Sequence, residues 1–325
     1  MDETVNRRLR CAVLDDYQNV AKTYADWSAL ETRIDLQVFN RHLGNEDEVA
    51  AQLADFDIIV LMRERTPFGA SLLNRLPRLK LLVTSGPRNA AIDIVAAAAN
   101  GVTVCGTQAS KAPPTEHTWA LILGLARHIA IEDAAFKANG PWQNTVGVDL
   151  AGKTLGLLGF GHIGQKVATI GQAFGMNIIA WSANLSADLT RSMGVTLAES
   201  KDALLACSDI VSIHLVLGER SRGLIDAEAL SRMKKSALLI NTSRAQIVDQ
   251  TALVEALQQK RIAGAGLDVF EQEPLPEGHV LRTLPNVLAT PHLGYVTENN
   301  YRTYYTQIVE AIQAYLDGAP IRVMS

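Results

Sequence analysis

Short, almost uninterrupted apolar runs recur along this chain, each followed by a stretch with helical patterning. In the first third they are R-C-A-V-L (10–14), D-L-Q-V-F (35–39), D-I-I-V-L-M (57–62), L-K-L-L-V-T (79–84) and V-T-V-C (102–105). Further on come T-L-G-L-L-G (154–159), N-I-I-A-W (177–181), D-I-V-S-I-H-L (209–215), A-L-L-I-N-T (237–242), G-A-G-L-D-V-F (264–270) and V-L-A-T (287–290). A strand with one wet face alternates apolar and polar side chains. A strand that is apolar on both faces must be covered on both, as happens inside a parallel sheet flanked by helices. The two sets of runs therefore predict an α/β chain with two doubly wound, Rossmann-like units built on parallel sheets. A helical stretch over about 114–138 joins them, and a last helix over about 296–317 stops at D-G-A-P.

Bulk properties narrow the function classes. The 325 residues suffice for two domains, given roughly 100–200 residues per domain. A net charge of −4 recommends neither nucleic acid nor an anionic membrane as a partner. No apolar run approaches the ~18 residues needed to span a bilayer. The opening M-D-E-T-V-N-R-R-L-R lacks a signal-peptide core, so a cytoplasmic location is expected. Cys11, Cys105 and Cys207 show no metal or redox spacing, and all three are expected to be buried in a reducing compartment.

Chemistry enters at Gly159, Gly161 and Gly164, which form G-F-G-H-I-G between a strand-like run and a helix-like run. The first glycine permits a tight turn, the second lets backbone approach a pyrophosphate, and the third lets helix pack on strand. With His162 and Ile163 between them, backbone N–H groups at the helix start would face the phosphates of a dinucleotide. The next strand, I-I-A-W, ends in Ser182, Ala183 and Asn184, where an Asp or Glu would hold the ribose hydroxyls of NAD. Without that acid the repulsion of an NADP phosphate is lifted, and the nearest downstream arginine is Arg191. Ser182 and Asn184 can bond a hydroxyl or a phosphate oxygen, so weak discrimination between NAD and NADP is expected.

Beyond later strand-like runs stand Arg244, Asp268, Glu273 and His292. In an open α/β sheet, ligands bind past the carboxyl ends of strands. Arginine offers a fork for a carboxylate, histidine can donate a proton near neutrality, and a carboxylate beside it favours the imidazolium. Together with the glycine turn, this set points to hydride transfer on a 2-keto or 2-hydroxy acid.

The stretches T-L-G-L-L-G-F-G-H-I-G-Q-K-V-A, L-L-I-N-T-S-R-A-Q-I-V-D, A-G-L-D-V-F-E-Q-E-P-L-P and T-P-H-L-G-Y resemble the D-isomer-specific 2-hydroxyacid dehydrogenases over essentially the whole chain. The resemblance implies Arg244 as the substrate-carboxylate residue, His292 as proton donor and acceptor, Glu273 as its assistant, and Asp268 at the nicotinamide. It implies a substrate domain of residues 1–110 with 295–325 and an inserted NAD(P)-binding domain of 111–294. A homodimer is also implied, with Trp119 and Leu123 as candidate contacts or, equally, ordinary intrachain core, and NAD is implied as the slightly favoured cofactor. Formate oxidation is not expected with Glu at 273. Phosphoglycerate oxidation is less expected, because no further domain follows residue 325. In the family, backbone N–H groups of a loop matching T-S-G-P-R-N help hold the substrate. Here Gly86 is followed by Pro87, which has no N–H. Arg88, Arg63 or Arg65 would then supply charge and favour a substrate with a second anionic or polar group. The competing reading is a non-catalytic dinucleotide sensor on the same scaffold.

Overall fold

The structure is a computed structural model that describes residues 7–324. The chain divides into two compact units, one running to Ser110 and resuming at Thr297, the other spanning Lys111–Val296.

The first unit is built on five parallel strands: β1 (Leu9–Val13), β2 (Ile34–Val38), β3 (Ile58–Leu61), β4 (Leu81–Thr84) and β5 (Thr103–Gly106). They lie in the order β2-β1-β3-β4-β5. β3 and β4 are buried at every position, as their unbroken apolar runs require. The last helix, Glu298–Leu316, returns to this unit and packs on β4. It buries Tyr301, Tyr304, Tyr305, Ile308 and Ile312 along one face. Two hydrogen bonds fasten it to the segment that follows β5. Gln108 N–H donates to Gln307 Oε1 at 2.8 Å, and Ser110 N–H to Asn300 Oδ1 at 2.8 Å.

The second unit carries β6 (Thr154–Leu158), β7 (Asn177–Trp181), β8 (Thr196–Leu197), β9 (Ile210–Ile213), β10 (Leu238–Asn241), β11 (Gly264–Leu267) and β12 (Val287–Ala289). All are parallel, in the order β12-β11-β10-β9-β6-β7-β8. The order reverses at β6, so the crevice beyond its carboxyl end is where such a sheet takes a ligand. Helix Pro113–Ala126 covers β10, β11 and β12. Gly266 keeps that approach close, because a Cβ there would stand 3.1 Å from Leu125 and 3.2 Å from Leu121.

Four expectations change. The stretch 114–138 is two helices, Pro113–Ala126 and Ile129–Lys137, broken where His128 adopts φ +51°. Trp119 is intrachain core, its ring 5.0 Å from that of Phe174, and Leu123 packs beside it. Both are spent on folding the second unit. Cys11 and Cys105 are buried, but Cys207 is exposed. It ends helix Lys201–Cys207, whose buried side is formed by Leu204 and Leu205. The two-residue β8 was too short to stand out as an apolar run.

Ile308 is fully buried on the closing helix of the first unit. Ile308→Ala should lower unfolding free energy by about 2–5 kcal/mol in a urea titration, with the first unit losing its structure earlier than the second.

Candidate active site

The glycine turn forms as its spacing predicts. Gly159 adopts φ +99°, and a Cβ on it would stand 2.5 Å from the carbonyl oxygen of His214, at the end of β9. A Cβ on Gly164 would collide with the Gly159 carbonyl oxygen. A side chain at Gly164 would push the helix off the turn, and one at Gly159 would collide with the backbone that follows β9. Helix His162–Ala173 starts at Gly161 with no side-chain cap, and the space where a Cβ of Gly161 would go is open. The first N–H groups of a helix have no partner within it. An uncapped helix start that no side chain covers suits a pyrophosphate. The residues present therefore fit a dinucleotide.

Two loops beside this turn line a cavity of about 580 Å³. One follows β7 and contributes Trp181, Ser182 and Asn184; the other follows β9 and contributes Glu219, Arg220 and Leu224. β7 and β9 are the two neighbours of β6, so the cavity straddles the strand that carries the glycines. Arg191 is absent from its lining and is paired with Asp188 at 3.0 Å on an exposed helix turn.

Arg244, Glu273 and His292 follow β10, β11 and β12, three neighbouring strands that end on the same edge. The sheet thus brings together residues that are 48 positions apart at the extremes (292 − 244). Arg244 is half-buried, its carbonyl accepting from Asn241 Nδ2 at 3.0 Å and its Nη1 donating to the Ser243 carbonyl at 2.8 Å. Ser243 Oγ in turn donates to the Ile213 carbonyl at 2.7 Å, which ties the arginine loop to β9. Glu273 Oε2 lies 2.7 Å from His292 Nδ1, while its Oε1 accepts from the Phe270 N–H at 2.9 Å. The imidazole is thereby held at Nδ1, and among the described residues its Nε2 has no partner. His292 sits at φ +55°, in the left-handed region that few non-glycine residues adopt.

Asp268 explains how that backbone is kept. It is buried, and both carboxylate oxygens are engaged by the segment around His292. Oδ1 accepts from the Leu293 N–H at 2.7 Å and from Thr290 Oγ1 at 2.6 Å, and Oδ2 from the Gly294 N–H at 2.8 Å. His117 Nε2 completes the cluster, 2.8 Å from Thr290 Oγ1 and 3.2 Å from Asp268 Oδ1. Burial alone would raise the Asp268 carboxyl. The His117 and Thr290 hydrogen bonds, the His117 charge and the Leu293 N–H outweigh it and hold the group below the usual carboxylate range. His117 is a site residue that the sequence did not reveal. It lies one turn into helix Pro113–Ala126, in P-P-T-E-H-T-W, where a single histidine carries no spacing signal.

In the first unit, Arg63, Gly86 and Arg88 come together and Arg65 stands apart. The Arg63 Nη1 donates to the carbonyls of Ser85 at 3.2 Å and Arg88 at 3.3 Å, and its guanidinium lies where a Gly86 side chain would be. Its Nη2 is 3.4 Å from Glu64. The Gly86 N–H donates to Thr107 Oγ1 at 2.7 Å, so that amide is already committed. Arg65 donates to the Asp15 carbonyl at 2.6 Å and stacks 4.5 Å over the Tyr17 ring. Arg88 is exposed, and its side chain has no partner among the described residues. No group of His, Cys, Asp and Glu among the described residues could hold a metal ion, and no helix among them is long and apolar enough to cross a membrane.

Comparison with known proteins places the chain among relatives of one family. Residues 119–294 match the family described as D-isomer specific 2-hydroxyacid dehydrogenase, NAD binding domain. The chain is 40% identical over 257 residues to a glyoxylate reductase of Aeropyrum pernix, covering 76% of each chain. It is 36% identical to a D-3-phosphoglycerate dehydrogenase of Methanocaldococcus jannaschii over 84% of this chain, and spans about half (52%) of that relative's length. Among solved structures, a phosphoglycerate oxidoreductase from Vibrio cholerae O395 superposes with a TM-score of 0.90 at 37% identity, over 96% of this chain and 100% of the other.

Asp268 has a depressed folded-state pKa, so its stabilising contribution is complete above the ordinary carboxyl pKa of about 4 and fades as pH falls through the folded value. Unfolding titrations from neutral pH into that acid range should show Asp268→Asn less stable than the wild type at neutrality. The gap should narrow as the pH falls, because the wild type loses what the variant never had.

Proposed function

Because the chain belongs to the D-isomer-specific 2-hydroxyacid dehydrogenase family, we propose that it interconverts a small 2-keto acid and the matching D-2-hydroxy acid with a nicotinamide dinucleotide. The observation that carries this reading is the His292–Glu273 pair at 2.7 Å, on a strand end next but one to that of Arg244. A sensor that only binds dinucleotide has no use for a proton donor locked in this way. The glyoxylate reductase named among the relatives favours glyoxylate as the first substrate to try, with hydroxypyruvate, a small 2-keto acid of the same class, as the second.

Gly159, Gly161, His162, Ile163 and Gly164 would hold the pyrophosphate at the helix start, and the cavity at Ser182 and Asn184 would take the adenosine ribose. The chemistry such a cofactor supplies when bound is the hydride for the keto carbon. Arg244 would grip the substrate carboxylate through its planar fork and orient the carbonyl. As negative charge grows on the carbonyl oxygen, His292 delivers the proton from Nε2. Glu273 keeps the ring aligned at Nδ1 and balances its positive charge before the transfer. In oxidation, His292 takes the hydroxyl proton at the same atom. Asp268 acts one step back: with both oxygens bound to the 290–294 segment, it positions the backbone of His292.

The homodimer fits an apolar surface in the second unit. Ile129, Phe136, Trp142 and Val146 are 55%, 64%, 81% and 90% exposed, concentrated within eighteen residues (129–146). Patches of this kind on a globular chain mark contact surfaces. Sedimentation should give a dimer for the wild type and a shift toward monomer for Phe136→Glu combined with Trp142→Glu. A wild-type monomer would remove the dimer without touching the enzymatic reading.

Turnover is tested by loss of reduced-nicotinamide absorbance with glyoxylate, hydroxypyruvate and larger 2-keto acids. His292→Ala should lower kcat by about 10²–10⁴-fold, the usual worth of a positioned general acid, with nucleotide binding retained. Nucleotide binding with no turnover on any keto acid, indifferent to His292→Ala, would establish the sensor instead.

A further inference from the structure

The end of β7 lacks the acid that would hold the ribose hydroxyls of NAD, and sequence proximity offers no cation in its place: Arg191 is held by Asp188. The fold supplies one from elsewhere. Arg220, in the loop after β9, lines the same cavity as Ser182 and Asn184, though 38 residues separate it from Ser182 (220 − 182). The side chains of Ser182, Asn184 and Arg220 have no hydrogen-bond or ion-pair partner among the described residues. Arg220 is exposed and so free of any structural duty to the core.

The loop that presents Arg220 is braced. Ser221 Oγ donates to the Val216 carbonyl at 2.7 Å and accepts from the Gly218 N–H at 2.9 Å, while the Ser221 and Arg222 N–H groups return to the Gly218 carbonyl at 3.1 and 2.9 Å. A cation on a fixed loop loses less freedom on binding than one on a loose loop. Glu219 also lines the cavity, and its carboxylate opposes an anion there, which moderates the expected gain.

We propose that Arg220 and Ser182, with Asn184 beside them, form a subsite for the 2′-phosphate of NADP(H), so that this chain binds the phosphorylated dinucleotide in preference to NAD(H). A guanidinium matches phosphate oxygens with parallel N–H donors, and a serine hydroxyl adds a further donor. The carboxylate that usually repels this phosphate is missing from the strand end. The proposal rests on the reading of the second unit as a dinucleotide domain, and it revises the slight advantage for NAD that the family resemblance implied.

Binding of adenosine 2′,5′-bisphosphate and of 5′-AMP to the full chain, followed by isothermal titration, tests the subsite without catalysis. The wild type should bind the bisphosphate at least about tenfold tighter, equivalent to ~1.4 kcal/mol. Arg220→Gln should bring the ratio of the two affinities toward one, and Ser182→Asp should reverse it. Equal binding of the two nucleotides by the wild type, or an Arg220→Gln ratio as large as that of the wild type, overturns the subsite and leaves the dinucleotide reading standing. Failure of both nucleotides to bind overturns both readings.

Discussion

Every strand of a parallel sheet ends on the same edge, and that constraint organises all the chemistry of the second unit. Each crossover carries the chain back beneath the sheet before the next strand starts, so the loops after successive strands collect at one rim. β10, β11 and β12 are neighbours, and the loops that follow them carry Arg244, Glu273 and His292. β7 and β9 flank β6, and the loops that follow them line the cavity beside the glycine turn. Reversing one strand would send its loop to the opposite rim and break the set. The apolar runs are therefore more than core material, because their burial on both faces enforces the parallel order.

The same rim needs charges inside low-dielectric surroundings, and Asp268 shows how that cost is met. A buried carboxylate is tolerable when hydrogen-bonded on all sides. Here the donors are two backbone N–H groups, the Thr290 hydroxyl and the neighbouring His117. The resemblance to known dehydrogenases implies a place for Asp268 at the nicotinamide. Its bonding shows a further task, which is to fasten the segment where His292 adopts its left-handed backbone. Helix Pro113–Ala126 takes part through His117, and again through Thr118 Oγ1, 2.9 Å from Thr242 Oγ1 just ahead of Arg244. One helix thus touches the loops of both His292 and Arg244.

What could be read from the sequence was whatever leaves a local pattern. Unbroken apolar runs announced the sheets, and three glycines at fixed spacing announced the turn, because sterics allow little else there. His117 was not legible, since it matters only through Thr290 and Asp268, which the fold brings close, and the place of Arg220 beside Ser182 and Asn184 follows only from the sheet order. The helix break at His128 was hidden for a different reason. Apolar residues continue past it at Ile129, Ile131 and Phe136, so the periodic pattern runs on. These side chains are exposed in the fold, and their pattern does not mark the core of the unit. Cys207 misled in a milder way, being apolar in company with Leu204 and Leu205 but on the wet side of a short helix.

The arginines of the first unit show why counting charge in a motif differs from finding it at a surface. M-R-E-R-T-P-F and S-G-P-R-N place Arg63, Arg65 and Arg88 close in sequence to a loop short of N–H donors. Arg63 spends its guanidinium on two carbonyls of that loop and on Glu64, and so acts as a brace that holds Ser85–Arg88 in shape. Arg65 is spent on the Asp15 carbonyl and the Tyr17 ring, at the end of β1. With the Gly86 amide bound to Thr107 and Pro87 lacking one, the loop keeps few donors of its own. Positive charge available to a ligand then falls to Arg88, whose side chain is exposed. Arg88 is thus the exposed cation of this loop, and Arg63 sets the shape of the loop that presents it.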